Sequence, residues 1–255
     1  MKWQKLSCLL LITSSLLSHH ATSEEVNIAV GDWPPYLSET LKHNGIIGHM
    51  LTDIFEQAGY NVTLTFFPWP RAYSNAKIGK QDVTGVWMHK PERETDFYYS
   101  KPVLNEQFVF FHLKTTHFHW QTLNDLKGWV IGGGQEYSYG TEFDNALASG
   151  DIIIERVPTK QQNWSKLLLG RIALYPEELN VGYSSLKQSA PPTKVNLVTH
   201  HPKPFLNNLS YLLFPKISDK SLRLIKDFNK QLKVFRESGR YDTYFKRFRE
   251  GYYDE

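Results

Sequence analysis

Residues Asp82 to Pro102 read DVTGVWMHKPERETDFYYSKP. Val83 to Trp87 reads as a short strand that breaks at His89-Lys90-Pro91 into a turn presenting Glu92 and Arg93. An aromatic stretch, Phe97-Tyr98-Tyr99, follows. An arginine just past a strand end can fork onto a carboxylate with two parallel N–H bonds. In open α/β sheets, ligands settle beyond those same strand ends. Taken alone, the segment leaves a second reading open, a surface arginine paired with Glu94 or Asp96.

Working outward, strand and helix signals alternate on both sides. Val26, Ile28 and Val30 alternate in a strand that runs into Gly31-Asp32-Trp33-Pro34-Pro35-Tyr36. Met50, Leu51, Ile54, Phe55 and Ala58 hold helical spacing and stop at Gly59. Asn61 to Phe67 reads as a strand, Trp69 to Ile78 as a short helix, and Phe108 to Phe111 as an apolar strand. This is a βαβ series, which predicts a parallel sheet. The pattern then restarts. Leu123 to Leu126 reads as a short helix and Trp129 to Ile131 as a strand running into Gly132-Gly133-Gly134; a helix through Leu147 follows, with Thr141 as its cap. Strands over Ile152–Val157 and Ile172–Tyr175 alternate with helices over Gln162–Leu169 and Glu177–Leu186. Tyr211 to Phe214 returns as a strand, and helices over about Ser218–Glu237 and Tyr241–Phe248 finish the chain. One βαβ unit per half predicts two α/β lobes joined by two crossings, with hinges near Phe110–Lys114 and Ser210–Lys216.

The N-terminus supplies a compartment. Lys2 and Lys5 precede an apolar run, Leu6 to Leu17, and Ala21-Thr22-Ser23 offers a small-residue cleavage site. This reads as a secretory signal peptide over residues 1–23, whose apolar run is too short for a membrane span. Cys8 lies inside it, so the expected mature chain has no cysteine, disulfide or lipid anchor, which fits a bacterial periplasm. Two of the 29 basic residues fall in that leader, against 26 acidic ones, so the mature charge is close to balanced. No basic tract points to nucleic acid. Aromatics reach 14% of residues, and many sit beside Pro or Gly in apparent loops, where a binding cleft uses them more than a core does.

Catalytic and metal motifs are sparse. Gly132-Gly133-Gly134 lacks the Gly-Lys-Ser/Thr ending of a nucleotide loop, and there is no Gly-x-Ser-x-Gly elbow. The pairs His117/His119 and His200/His201 invite a metal reading, but neither spacing puts two ligands on one helical face. No cofactor is expected.

In order along the chain, several marks carry a family resemblance: Gly31-Asp32-Trp33-Pro34-Pro35-Tyr36, the Gly48 to Gly59 helix, and Phe67-Pro68-Trp69-Pro70-Arg71-Ala72. Then follow Pro91-Glu92-Arg93 with Ser100-Lys101-Pro102, Leu123 to Gly128, and Ser238-Gly239-Arg240-Tyr241. The chain resembles the periplasmic solute-binding proteins of family 3, the polar amino acid uptake class. That resemblance implies a type II two-lobed α/β fold, with a mixed, mostly parallel sheet in each lobe and two hinge crossings. Residues 24–111 and 213–255 would form lobe 1, and 112–212 lobe 2. It also implies a monomer that captures a small carboxylated, amino-acid-like ligand and delivers it to an inner-membrane transporter or sensor.

Carried over by position, the family's carboxylate-binding arginine falls on Arg93, its ammonium-binding acid on Glu178, and its covering aromatic on Tyr36. The second-lobe anion turn falls on Glu136 to Gly140, with Ser138 and Tyr139. Trp33, Trp69 and Arg71 are further ligand candidates; each has a plainer reading, as a hydrophobic lid for the tryptophans and as an aromatic stack for Arg71. Glu178, beside Glu177 at a helix start, is open to reading as a dipole partner alone. Trp87 and Met88 stand where amino acid binders present small hydroxyl residues, which implies a narrower, more aromatic pocket. Two rival functions share this fold: a cyclohexadienyl dehydratase with Glu178 as general acid, and a ligand sensor for a signalling partner.

Overall fold

A computed structural model describes residues 23–135 and 137–253. The expected leader, Cys8 and Glu136 lie outside the described residues, save Ser23 at the leader's end. The molecule is a two-lobed α/β protein whose sheet is mixed. In lobe 1, β1 (Glu24–Val30) lies between β2 (Tyr60–Phe66) and β3 (Val83–Met88) and runs parallel to both. Helices α1 (Gly45–Gln57) and α2 (Trp69–Lys77) make the crossovers. Residues Asp82 to Pro102 fold as β3, a 3₁₀ turn over Pro91–Thr95, and the short strand β4 (Phe97–Tyr99).

Two ten-residue strands, β5 (Leu104–Leu113) and β10 (Leu206–Pro215), carry the chain between lobes. They pair antiparallel with each other, and β10 pairs antiparallel with β3 and β4. Lobe 2 contributes the parallel pair β6 (Ile131–Gly134) and β7 (Ile154–Val157). It also adds β8 (Tyr175–Glu178) and β9 (Val198–His200), both antiparallel to β5. Helices α3 (Thr141–Ala148), α4 (Lys160–Leu168), α5 (Leu179–Ser189) and α6 (Pro192–Val195) pack around them, and α7 (Ser221–Glu237) and α8 (Arg240–Arg249) return to lobe 1.

The apolar cores are separate. One gathers Val26, Ile28, Ile54, Phe55, Leu212, Phe228 and Tyr244, and others gather Phe110, Phe143 and Leu174, or Phe111, Trp164 and Leu186. Val181, in the first turn of α5, belongs to the first core, so the lobes touch beside the hinge.

Three local expectations shift. Gly132, Gly133 and Gly134 lie within strand β6 and not in a loop after it. A Cβ on Gly132 would collide with the Ile172 methyl and come 2.7 Å from Asn163 Oδ1, so the strand needs a residue with no side chain there. The strand expected over Ile172–Tyr175 sits further on, at Tyr175–Glu178. Glu177 is therefore a strand residue, and Glu178 is the N-cap of α5.

Candidate functional site

A cavity of about 410 Å³ opens between the lobes, lined from lobe 1 by Trp33, Trp69, Trp87, Met88 and Arg93 among others, from the hinge strands by Glu106, Phe108 and Ser210, and from lobe 2 by Tyr137, Ser138 and Lys160. That volume suits a small molecule.

Arg93 sits in the first turn after β3, half-buried. One guanidinium nitrogen donates to the Met88 carbonyl at 2.7 Å, and the group lies 4.8 Å from the Trp87 ring centre. The stack and the backbone bond fix its plane, as bidentate capture requires. The two acids that could have tied it down are otherwise engaged: Glu94 with His89 at 2.6 Å, and Asp96 with Lys77 at 2.8 Å. Among the described residues no carboxylate forms an ion pair with Arg93.

The aromatic wall has a local cause. Trp69 opens α2 and lies directly against Gly31, where any Cβ would collide with its indole. Trp87 meets Trp69 edge-on, with ring centres 5.1 Å apart, and its N–H donates to Thr84 Oγ1 at 3.1 Å. Trp33 stands at the mouth of a tight turn, with its N–H donating to the Leu37 carbonyl at 2.7 Å.

The same turn corrects the expectation for Tyr36. It docks on the start of α1, where Ile47 N donates to the Tyr36 carbonyl at 2.8 Å, and drives the Tyr36 side chain inward. Tyr36 is fully buried and does not line the cavity. Its hydroxyl donates to Glu178 Oε1 at 3.0 Å and accepts from Asn180 Nδ2 at 2.8 Å, bridging the lobes. Burial, with Glu178 beside it, pushes its pKa well up, so it stays a neutral donor.

Glu178 is likewise off the cavity. Its second oxygen caps α5, accepting from Asn180 N and Val181 N at 2.9 Å each. Both oxygens are thus spent on protein donors, and the dipole-partner reading describes what the side chain does here. Burial nonetheless pushes its pKa up to about 7, against those hydrogen bonds. Glu177 is buried with both oxygens held as well, by Tyr175 OH at 3.0 Å and Glu178 N at 2.9 Å.

In the expected anion turn of lobe 2, Ser138 lines the cavity but donates its hydroxyl to Asp144, and the Tyr139 amide donates to the same carboxylate at 3.0 Å. Those two donors serve the chain's own α3 carboxylate. Tyr139 is a core residue whose hydroxyl accepts from Gly134 N at 2.8 Å. Arg71 is exposed on α2 and outside the cavity lining, and among the described residues no aromatic ring lies beneath it. The second histidine pair serves as polar partners: His200 meets Tyr183 OH at 2.7 Å, and His201 accepts from the Trp120 indole at 3.2 Å. Among the described residues no three metal-ligating side chains converge.

Sequence reasoning missed Lys160 and Glu106. Lys160 opens α4 behind a capping box built by Thr159 and Gln162, and its ammonium lies 5.8 Å from the Tyr137 ring centre, across the cleft from Arg93. The Thr159-x-x-Gln162 pattern could have placed it at a helix start. Glu106 is a carboxylic acid between Leu104 and Phe108 on a strand that alternates buried and exposed positions, so its inward direction was readable.

Two lobes, a continuous mixed sheet through paired hinge strands, and a charged aromatic cavity between them define a solute-binding architecture. The chain belongs to the bacterial extracellular solute-binding proteins, family 3, whose model matches residues 26–250. No curated protein matches it. Among solved structures it is similar to the second substrate-binding domain of a candidate amino acid ABC transporter from Streptococcus pneumoniae (16% identity, 87% of this chain and 98% of that one, TM-score 0.67). A histidine kinase sensor domain with similarity to periplasmic binding proteins aligns over 88% of this chain and 96% of its own, at 16% identity and TM-score 0.65. An ancestral amino acid-binding protein, a precursor of cyclohexadienyl dehydratase, aligns over 88% and 94%, at 16% identity and TM-score 0.64. At these identities the likeness establishes the fold.

Proposed function

We propose that the protein is a periplasmic receptor for a small carboxylated, amino-acid-like solute, which it delivers to an inner-membrane transporter. Residues 24–111 with 213–255 would close on residues 112–212 by bending at the two crossing strands. The observation that carries this reading is Arg93: a guanidinium stacked on Trp87, in no ion pair with a carboxylate among the described residues, on the wall of the interlobe cavity. A ligand carboxylate on Arg93 faces Lys160 from the other lobe, and a bridge of that kind forms only in the closed state. Ligand contacts made only on closure turn binding energy into closure. The closed surface would be the signal that a membrane partner reads, and a sensor partner, as in the kinase neighbour, could read it equally well.

The test is a thermal-shift screen of the purified protein against amino acids and small organic acids, since ligand at a hundred times its dissociation constant adds about 2.7 kcal/mol. Arg93→Ala should then weaken any hit by about 2–5 kcal/mol without unfolding the protein, and Arg93→Lys should recover little. Calorimetry that finds Arg93→Ala binding as tightly as wild type would sink the assignment.

A second reading, an enzyme of the dehydratase type, is favoured by one observation: burial pushes the pKa of Glu106, on the cavity wall, up to about 7. A carboxylic acid in that range can donate a proton at neutral pH. Glu178, the acid that the sequence offered for this role, caps α5 and lies off the cavity. Turnover of prephenate or arogenate that disappears in Glu106→Gln would establish the enzyme; no turnover above background would leave the receptor.

A further inference from the structure

Glu106 lies on β5, one of the two strands that join the lobes. Leu104, Glu106 and Phe108 turn inward on that strand, and Asn105 and Gln107 turn to solvent. Glu106 is 1% exposed, and what it faces is the ligand cavity. Its neighbours come from the other hinge strand: Ser210 donates its hydroxyl to Glu106 Oε1 and accepts from Asn208 Nδ2 at 3.3 Å. Lys90, Arg93 and Lys160 line the same cavity, yet among the described residues no cation lies within ion-pair distance of this carboxylate.

A carboxylate buried without a cation destabilises a fold, and such groups concentrate where a ligand supplies the missing charge. The walls beside it support the same sign. Trp33, Trp69, Trp87, Phe108 and Tyr137 border the cavity, and aromatic faces attract cations. The other two buried acids of the region have no capacity left, because Glu177 and Glu178 each have both oxygens held by protein donors.

We propose that Glu106, oriented by Ser210, is the cation seat of the cleft and receives the protonated amine of a ligand whose carboxylate lies on Arg93. This rests on the receptor reading and narrows the solute to amino compounds over plain organic acids. It also moves the ammonium site from the second lobe, where Glu178 was expected to supply it, to the hinge.

The experiment is calorimetry at pH 8 on wild type, Glu106→Gln and Glu106→Asp, with the L-amino acids and their desamino counterparts as probes. Amino acids that bind wild type should lose about 30-fold or more in Glu106→Gln, the loss expected when one partner of a buried charge pair is removed. Glu106→Asp should recover part of that loss, and desamino acids should bind wild type and Glu106→Gln alike. If amino acids bind Glu106→Gln as tightly as wild type while Arg93→Ala weakens them, the cation seat is overturned and the receptor stands. If neither class of probe binds wild type, the receptor reading falls and the cation seat falls with it. Unfolding curves for each variant show that the folded protein is what was titrated.

Discussion

Replacing Glu106 with glutamine should stabilise the ligand-free protein at pH 8 and leave it nearly unchanged at pH 4.5. Burial raises the Glu106 pKa from an ordinary 4.5 to about 7 in the folded state, against hydrogen bonding from Ser210 and Asn208. A raised carboxyl pKa means that the folded state holds the proton more tightly than the unfolded chain does. Stability therefore falls as pH rises from about 4.5 to about 7, and above that window the ionised carboxylate carries its full cost. At 1.36 kcal/mol per pH unit, that cost is on the order of 3 kcal/mol. Glutamine fills the same space and has no charge to desolvate, so the variant should gain about that much at pH 8. For a domain of this size, that corresponds to about 6–12 °C in Tm. Glu178, pushed up to about 7 by burial, is unaltered, so the variant should keep part of the wild-type decline with pH. Asp32, Lys90, Arg93, Tyr137 and Lys160 also face this cavity, and Glu178 lies opposite Phe108 across the β5–β8 pair, two residues along β5 from Glu106; each is common to both proteins. The assay is thermal or urea unfolding of both proteins at the two pH values. An equal shift at both, or a loss of stability at pH 8, would refute the reasoning.

Tyr36→Phe should cost about 1–3 kcal/mol in urea unfolding, because it removes the hydroxyl that joins Glu178 Oε1 to Asn180 Nδ2 and leaves buried groups without a partner. A neutral result would mean that water replaces the hydroxyl. Gly132→Ala should lower the unfolding free energy by about 1–3 kcal/mol through the collision with Ile172 and Asn163. Gly128, where a Cβ would meet nothing within 4 Å but φ is +84°, is the control that separates crowding from backbone strain. Small-angle scattering should show the radius of gyration falling when a stabilising amino acid is added, with no change on adding a compound that gives no thermal shift. The same radius at saturation would count against closure.

Local pattern made most of lobe 1 legible. Alternation in Val26–Val30, helical spacing from Met50 to Ala58 and the stop at Gly59 all depend on neighbours within a few residues, and β1, α1 and β2 lie where those signals fall. The crossing strands depend on distant partners. Nothing in Phe108–Phe111 announces that β5 runs antiparallel to β8, β9 and β10, because direction is set by where the chain returns a hundred residues later. The shift of β8 has the same origin. Ile172, Leu174 and Tyr175 are buried in lobe 2 as their hydrophobicity suggests, but β5 pairs with Tyr175 to Glu178, two of them buried acids. No propensity argument puts Glu177 and Glu178 inside a strand; tertiary pairing does.

For the site, chemistry was more legible than placement. The tryptophans, Met88 and Arg93 line the cavity because β3 and the start of α2 end at the cleft, as a strand end and a helix start should. Tyr36 and Tyr139 share the same residue type but occupy turns that fold back on their own lobes. Their side chains are buried and their hydroxyls are spent on protein partners, which a sequence position cannot report.

The placement of the two charges has an energetic consequence. Arg93 and Lys160 belong to opposite lobes, so a ligand anion that touched both would gain a contact only when the lobes approach, and that difference would bias the equilibrium toward closure. Glu106 and Ser210 sit on the strands about which the lobes would turn, where displacement is least. A ligand cation on Glu106 would meet nearly the same partner in the open and closed forms, and a contact equal in both states adds affinity without shifting the balance between them. Hinge residues would then decide which solute enters, and lobe residues would decide whether its arrival is transmitted.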